Sequence, residues 1–263
     1  MVKMFVIIVL GWFCALSQGQ VCSRSVCLPG EYNKMDLPET EEGEPVTITT
    51  TILLIDVFKV HPGTFTLDLS LYIRFEWTDN RIIINENDTA VEVQKGFMDL
   101  VWKPDLYIWD MNKEHSYSKQ LTRENMFVEA DYENDYETTV IYSTEIDVGV
   151  VWPMDFFRFP FDSHECQLRL SSFVYEDEDI VTFTTEGMSA PDKRLNKDKI
   201  SKYHIEVDYL NNSRIDSRNF PGFFDSAPGL RIVLTTKPEK YLWVYFLPSS
   251  MFTLTSWNSW KLF

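Results

Sequence analysis

The sequence predicts an all-β fold of sandwich type, and three observations predict it. The run Thr47-Ile-Thr-Thr-Thr-Ile-Leu-Leu-Ile-Asp-Val-Phe58 is dense in β-branched residues, whose stiff side chains suit a pleated surface. The run Phe65-Thr-Leu-Asp-Leu-Ser-Leu-Tyr-Ile-Arg-Phe-Glu-Trp77 alternates apolar and polar residues, the period-2 pattern of a half-buried strand. No helical period is sustained before residue 240. Many strands separated by turn residues fit two packed sheets.

In chain order, Lys3 precedes an apolar run from Met4 to Leu16, followed by small residues in Ala15-Leu-Ser-Gln-Gly19. Residues 1–19 read as a secretory signal peptide, its apolar run too short to span a bilayer. Residues 20–45 hold Pro29, Gly30, Pro38, Gly43 and Pro45 and an acidic cluster at 39–44, and predict irregular structure. The β-branched run comes next, and His61-Pro-Gly63 turns it into the alternating run. Further strands are expected over 138–151, 166–173, 181–185, 203–209 and 230–236. Asn87-Asp-Thr and Asn211-Asn-Ser are glycosylation sequons in polar stretches. Residues 241–263 carry one charge, Lys261. They are long enough to cross a bilayer with tilt, but seven Ser, Thr and Asn residues make the hydropathy marginal.

Forty acidic residues face 24 basic ones, a formal net charge of -16. That balance argues against a nucleic-acid partner, since phosphate binding needs clustered cations. It suits a soluble surface, or a field that gathers cations. Four cysteines are present, and removal of the signal with Cys14 leaves an odd three: Cys22, Cys27 and Cys166. No catalytic, cofactor or metal constellation stands out. His164 and Cys166 flank Glu165, and side chains one apart on a strand point to opposite faces. Glu176-Asp-Glu-Asp179 lacks calcium-loop spacing, and there is neither a phosphate loop nor a nucleophile elbow. An enzyme is not expected.

The segment Trp152-Pro-Met-Asp-Phe-Phe-Arg-Phe-Pro-Phe-Asp-Ser-His-Glu-Cys166 resembles the signature loop of the Cys-loop receptors, the pentameric ligand-gated ion channels. Phe159, Pro160, Phe161 and Asp162 match its centre and Cys166 its second cysteine, while Trp152 stands where the first cysteine is expected. Pro153-Met-Asp155 is most similar to the glycine and GABA receptor branch. Trp77-Thr-Asp79, Trp102-Lys-Pro-Asp105, Phe246-Leu-Pro-Ser-Ser and Ser256-Trp-Asn-Ser-Trp260 extend the resemblance over 46–263. It implies an immunoglobulin-like β-sandwich of about ten strands over 20–239. The start of a first transmembrane helix would follow over 240–263, with the rest of the pore domain missing. It also implies a Cys22–Cys27 disulfide and a free Cys166 thiol, with pairing of Cys166 to Cys22 or Cys27 as the alternative. Trp77, Trp102 and Phe161 are expected in the core.

Agonists of this family bind between neighbouring subunits, and spacing from the motifs implies the contacts. The principal face would present Trp109, then Ser172, Phe173 and Tyr175, then a hairpin bearing Phe220, Phe223 and Phe224. The complementary face would present Tyr72, Arg74, Ser143 and Glu145. Aromatic rings attract an ammonium group, and an arginine fork grips a carboxylate, so a small amine or amino-acid-like ligand is expected. Ser171 stands where GABA-type sites have an amine-binding glutamate, a departure from the pattern. The vicinal cysteine pair of acetylcholine-binding hairpins is missing as well.

The expected function is therefore the extracellular neurotransmitter-binding region of a channel subunit at the plasma membrane. Its partners would be identical or related subunits in a pentamer and a lipid bilayer through 240–263. The alternatives are a soluble or tethered ligand buffer resembling acetylcholine-binding proteins, and a truncated subunit that silences its partners.

Overall fold

The structure is a computed structural model and describes residues 19–41, 44–84, 90–112, 123–131, 137–175, 180–184, 202–210, 214–216 and 224–260. The signal-peptide run with Cys14, both sequon asparagines Asn87 and Asn211, and Phe220 and Phe223 lie outside the described residues.

Sixteen strands occur among the described residues. They are β1 (Val21–Ser23), β2 (Val26–Leu28), β3 (Val46–His61), β4 (Thr66–Thr78), β5 (Ile83–Ile84), β6 (Ala90–Glu92), β7 (Tyr107–Ile108), β8 (Met111–Asn112), β9 (Glu124–Asp131), β10 (Glu137–Val151), β11 (Ser163–Ser171), β12 (Val181–Thr184), β13 (Tyr203–Leu210), β14 (Arg214–Asp216), β15 (Phe224–Ser226) and β16 (Gly229–Thr236). A single helical turn, α1 (Lys95–Met98), interrupts them, and a helical run closes the chain.

One large sheet has the order β12-β3-β4-β10-β9-β6, with β8 also on β10; a second has the order β13-β16-β11-β7. Among the described residues only the β12–β3 pair is parallel. Inward residues of the two sheets form one core: Ile52, Leu71 and Phe75 from the first meet Leu168, Leu230 and Ile232 from the second. This is the all-β sandwich that the patterning predicts.

Four local features depart from the sequence reading. Residues 20–45 are not wholly irregular, because β1 and β2 form a hairpin in which Cys22 and Cys27 stand opposite each other and are disulfide-bonded. Three-residue strands are too short for any period to show. Strand β9 went unread because Met126 and Val128 are buried while Phe127 between them is exposed. Apolar residues on both faces erase the alternation. In β4 the period-2 pattern holds only from Tyr72 onward, since Thr66 to Leu71 are all buried. Asp68, at one of the polar positions, is paired to His61 Nε2 at 2.9 Å instead of facing water. Finally, Phe161 is not a core residue: it is 65% exposed, on a loop held by its backbone.

The C-terminal run consists of α2 (Pro238–Tyr241), a π-helical turn (Leu242–Phe246) and α3 (Leu247–Trp260). Pro238 sits at the start, where its missing N–H costs nothing. Pro248 has no N–H to offer the carbonyl four residues back, and the ladder widens just before it, with Leu247 N–H reaching Leu242 O. Among the described residues, no helix is long and apolar enough to cross a membrane.

Candidate ligand-binding site

The two tryptophan motifs build the frame. Trp77 and Trp102 are buried and meet edge to face at 5.6 Å. Asp79 is fully buried and takes two 2.8 Å bonds from Arg81 Nε and Nη2 and a third, at 3.1 Å, from the Tyr32 hydroxyl. Tyr32 in turn accepts the Trp102 N–H, and Arg81 lies over its ring. Burial pushes the Tyr32 phenol well above its ordinary range, so it stays a neutral donor.

Asp105, the last residue of the Trp102 motif, holds the expected second loop of the principal face. Its carboxylate accepts the Ser172 hydroxyl at 2.5 Å and the N–H groups of Phe173 and Val174 at 2.6 and 2.9 Å. The Ser172 oxygen accepts the Tyr175 N–H. Ser172 is therefore buried and committed to the turn. Phe173 is pushed outward, 59% exposed, and packs on Tyr107 of β7 with centroids 5.6 Å apart. Tyr107 was missed from sequence. No alternation marks it, since Ile108 and Trp109 are both buried and Tyr107 alone of the three is exposed. Trp109 turns inward, its indole N–H bonded to Ser171 Oγ at 2.8 Å. Ser171 is thereby buried and engaged as well. Tyr175 packs against the core, and Phe224 starts β15, half-buried.

The four complementary-face residues come together because of strand register. On one face of the large sheet, Arg74 of β4 lies between Thr51 of β3 and Ser143 of β10, and Ser143 faces Asn125 of β9. One row on, Leu53, Tyr72 and Glu145 align, and Glu145 N–H bonds to Arg123 O. Tyr72, Arg74, Ser143 and Glu145 line a cleft of about 610 Å³, with Phe127 and Ile141 as apolar floor. Sequence spacing had not pointed to the β9 side of this cleft. Arg74 Nη2 is 2.6 Å from Glu76 Oε1, and Arg123 Nη1 is 3.9 Å from Glu145 Oε2.

The loop from 152 to 166 lies at the end of the sandwich where the β3–β4 turn is. Trp152 is buried, 3% exposed; its N–H bonds to Phe65 O and its ring meets His164 edge to face at 6.4 Å. Phe156 covers the other part of His164 at 5.0 Å, and His164 Nε2 is 2.6 Å from Asp162 Oδ2. Phe157, Phe159 and Phe161 face outward, and Phe159 touches Tyr241 of α2 at 4.7 Å. Cys166 is buried without a disulfide, and burial pushes its thiol up to about 12, with Asp110 adding to the shift.

Among the described residues the sandwich carries a surface cleft of mixed charge and, apart from it, an exposed aromatic pair. Residues 25–227 match the neurotransmitter-gated ion-channel ligand binding domain, and the chain belongs to that family. It is similar to the gamma-aminobutyric acid receptor subunit pi of Bos taurus, 25% identical over 247 residues, which are 90% of this chain and 52% of that relative. The chain thus spans about half the length of the curated relative it matches.

Proposed function

We propose that this chain is the extracellular neurotransmitter-binding region of a pentameric ligand-gated channel subunit at the plasma membrane. The ligand, a small amine or amino-acid-like molecule, sits between neighbouring subunits. The observation that carries this reading is the shared cleft of Tyr72, Arg74, Ser143 and Glu145. Four residues chosen by motif spacing alone line one concave surface, as an intersubunit site requires. The exposed Tyr107–Phe173 pair supports a second, aromatic wall contributed by the neighbour. Trp109 acts behind that wall, holding it through Ser171.

Trp152 takes the place of the first cysteine of the signature loop. Its support is its burial against His164, which shares a face of β11 with the unbridged Cys166. The helical run from Pro238 to Trp260 leads toward a bilayer. The supports are its outward Trp243, Phe246, Met251, Phe252 and Trp257 and the Phe159–Tyr241 contact, which ties the loop to the helix.

The test is a full-chain preparation in lipid nanodiscs, sized by native mass spectrometry and titrated with a panel of amines and amino acids. A pentamer with one responsive ligand class is expected. Tyr72→Ala and Phe173→Ala should each weaken that ligand by roughly 0.5–2 kcal/mol, the worth of an aromatic contact to a cation. Wild-type affinity in both variants would remove the box from these positions.

A further inference from the structure

Tyr72, Arg74 and Glu76 are successive residues on one face of β4. Arg74 is the only cation on that stretch, and its Nη2 is already 2.6 Å from Glu76 Oε1. Both side chains are more than a third open to solvent, so the pair is not locked by burial but lies within reach of a ligand. Arg74 Nε is buried and has no hydrogen-bond partner, so Glu76 engages the guanidinium at its end, where a ligand carboxylate would have to come. The rest of the cleft repeats this bias. Glu145, Glu124 and Glu129 line it, answered by Arg123, whose side chain is 89% exposed and 3.9 Å from Glu145. Arg74 and Arg123 therefore face four carboxylates once Glu76 is included. A ligand carboxylate entering here would meet like charge and would compete with Glu76 for Arg74. An ammonium group would find a surplus of carboxylate acceptors, with Tyr72 beside them.

We propose that Glu76 sets the ligand specificity of the cleft: it occupies Arg74 and restricts the site to an organic cation that carries no carboxylate, with Glu145 as its counter-charge. Discrimination then comes from a repulsive element as much as from an attractive one. This inference rests on the reading of the cleft as part of the ligand site.

The experiment uses a matched pair, tyramine and tyrosine, which differ by one carboxylate, titrated by calorimetry into the full chain in nanodiscs. Tyramine should bind the wild type at least about tenfold more tightly than tyrosine. Glu76→Gln should free Arg74, raising tyrosine affinity about tenfold and lowering that of tyramine. Arg74→Gln, which leaves Glu76 unpaired, should tighten tyramine by several fold. Glu145→Gln should weaken it about tenfold. Tyrosine binding as well as tyramine to the wild type, and failing in Arg74→Gln, overturns the proposal while leaving the ligand site in place. A tyramine preference that Glu76→Gln does not alter removes Glu76 as its determinant and also overturns it. Silence of both compounds in all four proteins at about 10 mM overturns it together with the site reading.

Discussion

Asp105 and Trp152 are single residues around which whole loops are arranged. Asp105 holds three donors from Ser172, Phe173 and Val174, and so decides that Phe173 faces outward. Its importance lies in geometry: a ring contributes to a site only when it is presented. Trp152 solves a different problem. A disulfide closing a fifteen-residue loop would supply roughly 3 kcal/mol in the chain-entropy model. On the proposed reading of Trp152 as the substitute for a loop cysteine, the anchor is its large ring, buried against His164, with the backbone bonded to Phe65. Trp152→Ala should cost ~3–5 kcal/mol in a denaturant melt, the range for a fully buried aromatic. A midpoint unchanged from the parent would show that the loop is held by its backbone bonds alone. Trp152→Cys is the complementary change; non-reducing peptide mapping should find it bridged to Cys166.

At the scale of elements, the close pairing of β11 with β16 depends on Gly229. It is in register with Arg169 and with Leu210 of β13. A Cβ built there would lie 1.9 Å from Leu168 O and 3.0 Å from Arg169 Cα, both main-chain atoms that cannot rotate away. Gly229→Ala should therefore part the strands and cost ~1–3 kcal/mol or more, as overpacking does. Because β16 directly follows the paired strands β14 and β15, ligand affinity should fall along with thermal stability. Stability at the parent value would mean that the inner strands of the second sheet adapt freely at this end. The β4–β10 pair is the other decisive element. It stays in register from Thr66–Val151 to Thr78–Thr139, so Tyr72 and Arg74 keep fixed partners across the cleft.

Over the whole molecule, burial of ionisable groups in the sandwich sets a pH limit. Cys166 rises from 9.0 to about 12 and Tyr142 from 10.0 to about 12, both mainly through desolvation, with Glu124 also raising Tyr142. The folded protein keeps these protons where the unfolded chain releases them. Their contribution is complete below about pH 9 and is lost as pH rises through 9 toward 12. Melting temperature should therefore be level below about pH 9 and fall above it. Cys166→Ser, with a hydroxyl that does not titrate in this range, should flatten part of that fall. A wild-type curve that stays level to pH 11 would contradict the burial of both groups.

The sequence by itself determined the class of fold and the positions from which the site was located. Alternation in β4, β-branching in β3 and two tryptophan motifs are local patterns, and each survives in the structure as strand or buried anchor. Packing decided what local patterns do not encode. Phe161 and Trp152 belong to one loop, yet one ring faces outward and the other is buried, because only Trp152 lies against β11. Tyr107, not Trp109, is the exposed ring of its segment, because Ser171 draws the indole inward. The meeting of Arg74 with Ser143, and the β9 side of the cleft with Arg123 and Glu124, follow from which strands lie side by side. Registers join residues some seventy positions apart, and no window of sequence contains both partners.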